Sequence, residues 1–200
     1  MTHTKRSSGT KLSGTLLLVS GIVFFIFNTI AEGIYPNYSV GVNALSDLGA
    51  LGEPTRFLWN GQLLVSGITA FLGMYALFFR SNWAVKVKKR NLGAIIFLLP
   101  YIGAVLVALF PENFIGSVHA VGAFLAFTFG AISAIYAYRI TTPPFRYFSL
   151  ILGVISLIMI FLLEESGSVD FGLIERLVVY PFVIWGISFG GYLMGHESSS

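Results

Sequence analysis

The chain has 200 residues, of which 56% are apolar and only 10% charged, against about a quarter charged in a typical soluble domain. With a mean hydropathy of +0.82, so few charges cannot cover a water-soluble globule, which excludes a soluble enzyme, a DNA-binding domain and a disordered chain. There is no cysteine, so disulfides, thiolate metal sites and a cysteine nucleophile are excluded too.

A bilayer core of about 30 Å takes about 20 apolar residues per crossing helix. Stretches free of Asp, Glu, Lys and Arg run over 12–31, 57–79, 91–111, 113–138, 147–163 and 177–196. Barrel strands need only about 9–11 residues and alternate strictly. These stretches are 17 to 26 residues long and apolar all round, so they are expected as helices, which satisfy their own backbone hydrogen bonds in lipid. The fold class that follows is all-α: a polytopic transmembrane bundle of six helices, one domain over 1–200.

The first span follows Lys5, Arg6 and Lys11, a flank that a secretory signal would also carry. It is longer than the about 7–15 residues of a signal core, and Asn28-Thr-Ile-Ala-Glu32 is a poor cleavage site, so the helix is expected to be retained. Asn28 and Thr29 close it. The loop 32–56 comes next, longer than the about 12–15 residues of an ordinary structureless connection. Its Ile34, Tyr35, Tyr38, Val40, Val42, Leu45, Leu48 and Leu51 need cover. It is expected to fold back over the bundle as a lid, with a short helical turn capped by Asn43 or Ser46.

Asn60 and Gln62 open the second span. The basic run Lys86-Val-Lys-Lys-Arg90 after it is expected against anionic headgroups. Pro100 sits mid-way along the third span and Pro181 early in the sixth, where each removes a backbone donor and is expected to kink its helix. Glu112 and Asn113 precede the fourth span, which carries Gly122, Ala126, Gly130 and Ala134 at four-residue spacing, a stripe that lets helices approach. His119 lies within about 60° of that stripe, which turns it inward. Glu164, Glu165 and Asp170 read as a solvated rim. Glu175 and Arg176 open the sixth span; Glu175 lies within about 60° of Gly186 and Gly190 and is also expected inward. Gly191 and Gly195 face the other way and would serve a homo-oligomer contact.

Sorting charges by side sets the orientation. Ten basic residues (Lys5, Arg6, Lys11, Arg80, Lys86, Lys88, Lys89, Arg90, Arg139, Arg146) fall on the side of both termini; only Arg56 and Arg176 fall on the other. The positive-inside rule then places both termini in the cytoplasm of a multi-pass cell-membrane protein. The pI near 9.2 reflects topology and gives no reason to expect nucleic acid.

Polar residues gather at the outer ends: Asn28, Ser46, Asp47, Asn60, Glu112, His119, Glu175 and Arg176. Their shared depth points to an outward-facing polar pocket beneath the loop, with Ser46, Asp47, Asn28, Asn60, Glu175 and Arg176 as binding residues. Arg176 is expected to pair with Asp47, Glu112 or Glu175. Ser46, Asp47 and His119 invite a triad reading, but no glycine-framed serine elbow is present. A metal is not expected: His3 and His196 lie on the cytoplasmic side, leaving only His119 to meet the outer carboxylates. No cofactor is specified.

Asn43-Ala-Leu-Ser-Asp-Leu-Gly49, Phe110-Pro-Glu112 leading to His119, and Glu175-Arg176 resemble the segments of domain-of-unknown-function family 998, prokaryotic six-helix membrane proteins. The resemblance implies six helices in the cell membrane and supplies no activity. The segment after the first helix is more distantly similar to that of Frag1/DRAM/Sfk1-type membrane proteins, some tied to lipid-anchor remodelling. Alkaline-ceramidase-like hydrolases are a further comparison, but the chain lacks their three zinc histidines.

Three functions compete. The first is a protein whose outer pocket binds a lipid headgroup, a small polar molecule or a membrane partner. The second is an outer-leaflet, hydrolase-like enzyme with His119 as general acid or base, Asp47 or Glu112 orienting it, and Arg176 holding an anion. The third is a transporter of a neutral solute; ion coupling ranks last because no span carries a mid-depth charge.

Overall fold

The computed structural model describes residues 2–83, 87, 89–165 and 170–196. Lys86 and Lys88 of the basic run, and the side chains of His3, Glu164, Glu165 and His196, lie outside the described residues. Among the described residues there are six α-helices: α1 (Thr2–Ile34), α2 (Arg56–Arg80), α3 (Arg90–Leu109), α4 (Gly116–Ala137), α5 (Phe145–Glu165) and α6 (Phe171–His196). Each contains a segment long and apolar enough to cross a membrane, so the chain reads as a multi-pass membrane protein.

Most helix ends differ from the charge-free stretches: α1 begins at Thr2 rather than 12 and α4 at Gly116 rather than 113, and three further differences have a local reason. α6 starts at Phe171, ahead of Glu175 and Arg176, because both charged side chains are buried among partners and need not end the helix. α1 runs past Ala31 to Ile34, since Glu32 is paired within the protein. α3 stops at Leu109: Pro111 disfavours helical geometry at Phe110, whose φ is −123° and ψ 84°.

The helices form a ring in chain order, with α6 packing back on α1. α4 also touches α6, which leaves α5 in the outer groove between them. Short hydroxyl side chains tie the ring, as expected where water cannot compete. Ser13 Oγ donates to the Gly73 carbonyl (2.7 Å) and Ser20 Oγ to the Ser66 carbonyl (2.8 Å), joining α1 to α2. Pro100 has no N–H for the carbonyl four residues back; Ser133 Oγ of α4 donates to that carbonyl, at Ile96, instead (3.0 Å).

Two glycine pairs bring helices together backbone to backbone. A Cβ on Gly190 would lie 2.6 Å from the Gly14 carbonyl oxygen, and one on Gly14 2.6 Å from that of Gly190, so α6 and α1 meet backbone to backbone. Gly103 and Gly122 do the same between α3 and α4, where a Cβ on Gly103 would lie 2.5 Å from the Gly122 oxygen. Gly191 and Gly195 are exposed on the bundle surface. At the end of the bundle that carries the chain termini, Phe78, Phe97, Trp185 and Phe189 are fully buried. Trp185 and Phe189 stack with centroids 5.1 Å apart, and Phe145 stacks on Phe189 at 5.8 Å.

Candidate ligand cavity

The opposite end carries the α1–α2 loop, residues 35–55. Its Ala44, Leu45 and Leu48 are buried, and a 3-10 turn spans Ser46–Gly49. Neither Asn43 nor Ser46 caps that turn. Leu45 precedes it without a side-chain cap, and the Asp47 carboxylate takes the loose donors, accepting from the Ala44 N–H (3.0 Å) and Asn43 Nδ2 (2.9 Å). The acid within the turn reaches these groups directly, which leaves Ser46 Oγ available for Glu112.

Arg176 holds the loop down, though not through the acids expected. Its ion pair is with Glu32 at the end of α1, Nη2 to Oε1 2.7 Å. Asp47, Glu112 and Glu175 are bonded elsewhere, to Ala44 and Asn43, to Ser46 and to Leu45. Nε also donates to Glu32 (3.2 Å), Nη2 to Tyr38 Oη (2.6 Å), and Nη1 to the carbonyls of Gly172 (2.8 Å), Val40 (3.0 Å) and Asn43 (3.1 Å). A guanidinium has five N–H donors, and these acceptors occupy them. Arg176, only 4% exposed, therefore has no donor left for an anionic ligand.

Asn28 is likewise engaged inside the protein. Its Nδ2 donates to Glu32 (3.0 Å) and Tyr180 Oη (3.2 Å), and its Oδ1 accepts from Trp59 Nε1 (3.1 Å). One amide thus connects α1, α2 and α6. Asn60 donates to the Gly49 carbonyl (2.8 Å), fixing the loop to α2.

Glu175, 6% exposed, points inward and accepts from the Leu45 N–H (2.5 Å). Glu112 accepts from Ser46 Oγ (2.7 Å). Burial raises the Glu112 pKa above the usual carboxylate range. The Ser46 hydroxyl opposes that shift; the nearby Asp47 carboxylate adds to it, both as an acceptor for the protonated acid and as a like charge. His119 Nδ1 lies 2.9 Å from the Phe110 carbonyl. A carbonyl only accepts, so Nδ1 carries the proton and Nε2 of the neutral ring is an acceptor. Ser46, His119 and Asp47 each bond elsewhere and form no relay. Among the described residues, no three of His, Asp and Glu come close enough to hold a metal ion.

Ser46, Glu112, His119 and Glu175 line one end of a cavity of about 420 Å³ inside the ring. From there it runs toward mid-bundle between Trp59, Leu63 and Ala70 of α2, Tyr101 and Ala104 of α3, and Phe182 of α6. Its wall there is aliphatic and aromatic apart from Ser20, Ser66 and Tyr101. Asp47 lies outside it, in a shallow surface pocket with Asn43; Glu112 and Phe171 line both spaces and form the wall between them. Arg176, Asn28 and Asn60 are not among the lining residues. The structure thus brings Ser46, Glu112, His119 and Glu175 to one cavity, sets Asp47 just behind Glu112, and turns Arg176 and Asn28 to holding the loop and helices.

Sequence reasoning missed Trp59, Ser66, Tyr38 and Glu32. Trp59 and Ser66 sit seven residues apart on α2, two helical turns and hence one face; the polar atom each carries was the available signal. The chain's membership is decided by extent: residues 18–191 match the family described as Protein of unknown function (DUF998). The chain belongs to that family. The matched region includes every loop and cavity residue named above. No curated protein and no solved structure matches the chain.

Proposed function

We propose that this DUF998 protein binds an amphipathic molecule of the membrane, a lipid or lipid-like compound, with its polar head under the α1–α2 loop and its apolar body inside the helical ring. The observation that carries this reading is the two-part lining of the cavity: Ser46, Glu112, His119 and Glu175 at one end, and a long apolar wall beyond them. Its volume falls in the about 300–1,000 Å³ range of small-molecule sites, which are mostly apolar with a few convergent polar groups. The charge asymmetry of the loops supports an exoplasmic position for the polar end, with both termini cytoplasmic.

Native mass spectrometry of protein purified in mild detergent tests the reading. Ala104 lines the cavity, and Ala104→Phe would fill part of it. The wild type should retain an amphiphile-sized adduct that the folded variant loses. Equal retention by both would place the adduct on the outer surface and overturn the proposal.

A further inference from the structure

Hydrogen-bonding capacity at the polar end is strongly one-sided. Among the described residues, no lysine or arginine lines the cavity. Glu112 receives one bond from Ser46 Oγ and reaches Asp47 only when protonated, and Glu175 receives one from the Leu45 N–H, whereas an ionised carboxylate offers about four lone-pair sites. His119 spends its Nδ1 proton on the Phe110 carbonyl, so in the neutral ring Nε2 is a third acceptor. The only hydroxyl donor among these four, Ser46, is already directed to Glu112. Asp47 adds negative charge behind Glu112, within interaction range of both Glu112 and Glu175. The nearest cation, Arg176, is neutralised by Glu32 and faces the loop. Deeper in the cavity, Ser66 is 5% exposed and its Oγ finds no protein partner.

A buried carboxylate is costly unless a donor or an opposite charge compensates it, and this end supplies acceptors with almost no donors. An anionic head such as a phosphate would meet two carboxyls and no available guanidinium. From this balance of groups we infer that the head taken under the loop is a protonated amine: the ligand class is a cationic amphiphile, an alkyl ammonium with an apolar chain. The inference rests on the amphiphile reading above and narrows it. Glu112 and Glu175 would receive the ammonium N–H groups, and His119 Nε2 would accept a third.

The test compares heads on one chain length. Purified protein at neutral pH would be titrated with dodecylamine, dodecanol and dodecyl phosphate below their micellar concentrations, with thermal unfolding as readout. Dodecylamine should raise Tm at a concentration at least tenfold lower than dodecanol, and dodecyl phosphate should give no saturable rise. Glu112→Gln should bring dodecylamine to within a few-fold of dodecanol, both measured on that variant. Dodecanol or dodecyl phosphate acting at a concentration equal to or lower than dodecylamine would overturn the amine assignment and leave the amphiphile reading standing. No saturable response to any of the three would overturn both. The wild-type comparison is decisive even if Glu112→Gln fails to fold.

Discussion

At the terminal end of the bundle, Phe97, Trp185 and Phe189 are fully buried with centroids 5.1 to 6.2 Å apart, and Gly14 meets Gly190 with no room for a methyl group. At the loop end, the same helices stand around a cavity of about 420 Å³ whose rim carries two glutamates and a histidine. Both ends are built from one ring of six helices, so the difference lies in side chains. Large rings fill the terminal end. Small residues (Ser20, Ser66, Gly67, Ala104, Ala123, Gly186) line the space at the other end, where a clamp of ion pair and hydrogen bonds replaces apolar packing. The apolar core is filled by its own side chains, whereas the cavity is the space that the proposed amphiphile would fill.

The clamp offers the largest way to break this contrast. Arg176→Met would leave Glu32 without its cation and uncap the Gly172, Val40 and Asn43 carbonyls. Removing one partner of a buried pair costs about 3–5 kcal/mol, so stability in detergent, measured by denaturant unfolding, should fall by that order. A change under 1 kcal/mol would show that the loop is held by its apolar residues alone.

Two glycines on α6 probe the packing contrast directly. Gly190→Val places side-chain atoms against the α1 backbone, and overpacking of this kind costs about 1–3 kcal/mol. Gly186→Ala, one helical turn away, puts its methyl group where no heavy atom lies within 4 Å. It should instead stabilise by about 0.5–1 kcal/mol, because alanine in a helix loses less conformational freedom on folding than glycine. Equal destabilisation by the two variants would mean that the cavity half is as tightly packed as the other.

The smallest effect is a pH dependence. Glu112 has its pKa raised in the folded protein, mainly by burial. A raised carboxyl binds protons more tightly folded than unfolded, so its contribution is fully present below the ordinary carboxylate pKa and is lost as pH rises through the folded value. Tm should therefore fall with rising pH across that interval, and Glu112→Gln should remove that part of the slope. An unchanged slope in the variant would assign the titration to another group.

How much of this was legible in the sequence depends on the kind of interaction. Helix number and order follow from charge-free stretches, because uncompensated charge in hydrocarbon is costly enough to mark most boundaries. Where the protein compensates charge internally, at Glu32, Glu175 and Arg176, the same criterion placed helix ends too early or too late. The inward faces of His119 and Glu175 followed from helical angle alone. The partner of Arg176 did not: Glu32 is 144 positions away, and only the α1–α6 contact selects it over Asp47 or Glu112. The polar end of the cavity was signalled by the shared depth of Ser46, Glu112, His119 and Glu175, but its apolar body was not, because that space depends on side-chain size across the ring. Its small lining residues look in sequence like those of any tight membrane interface.

Trp59, which lines the cavity beside Leu63, allows the central claim to be measured in place. With Trp83 and Trp185 replaced by Phe, Trp59 fluorescence would be followed while a dodecyl amphiphile brominated in mid-chain is added. A chain seated in the cavity should quench Trp59 with a saturable curve, and Ala104→Phe should abolish that curve. Quenching that rises linearly without saturation, and equally in Ala104→Phe, would show that chains reach Trp59 only from the surrounding detergent, and would contradict an internal site.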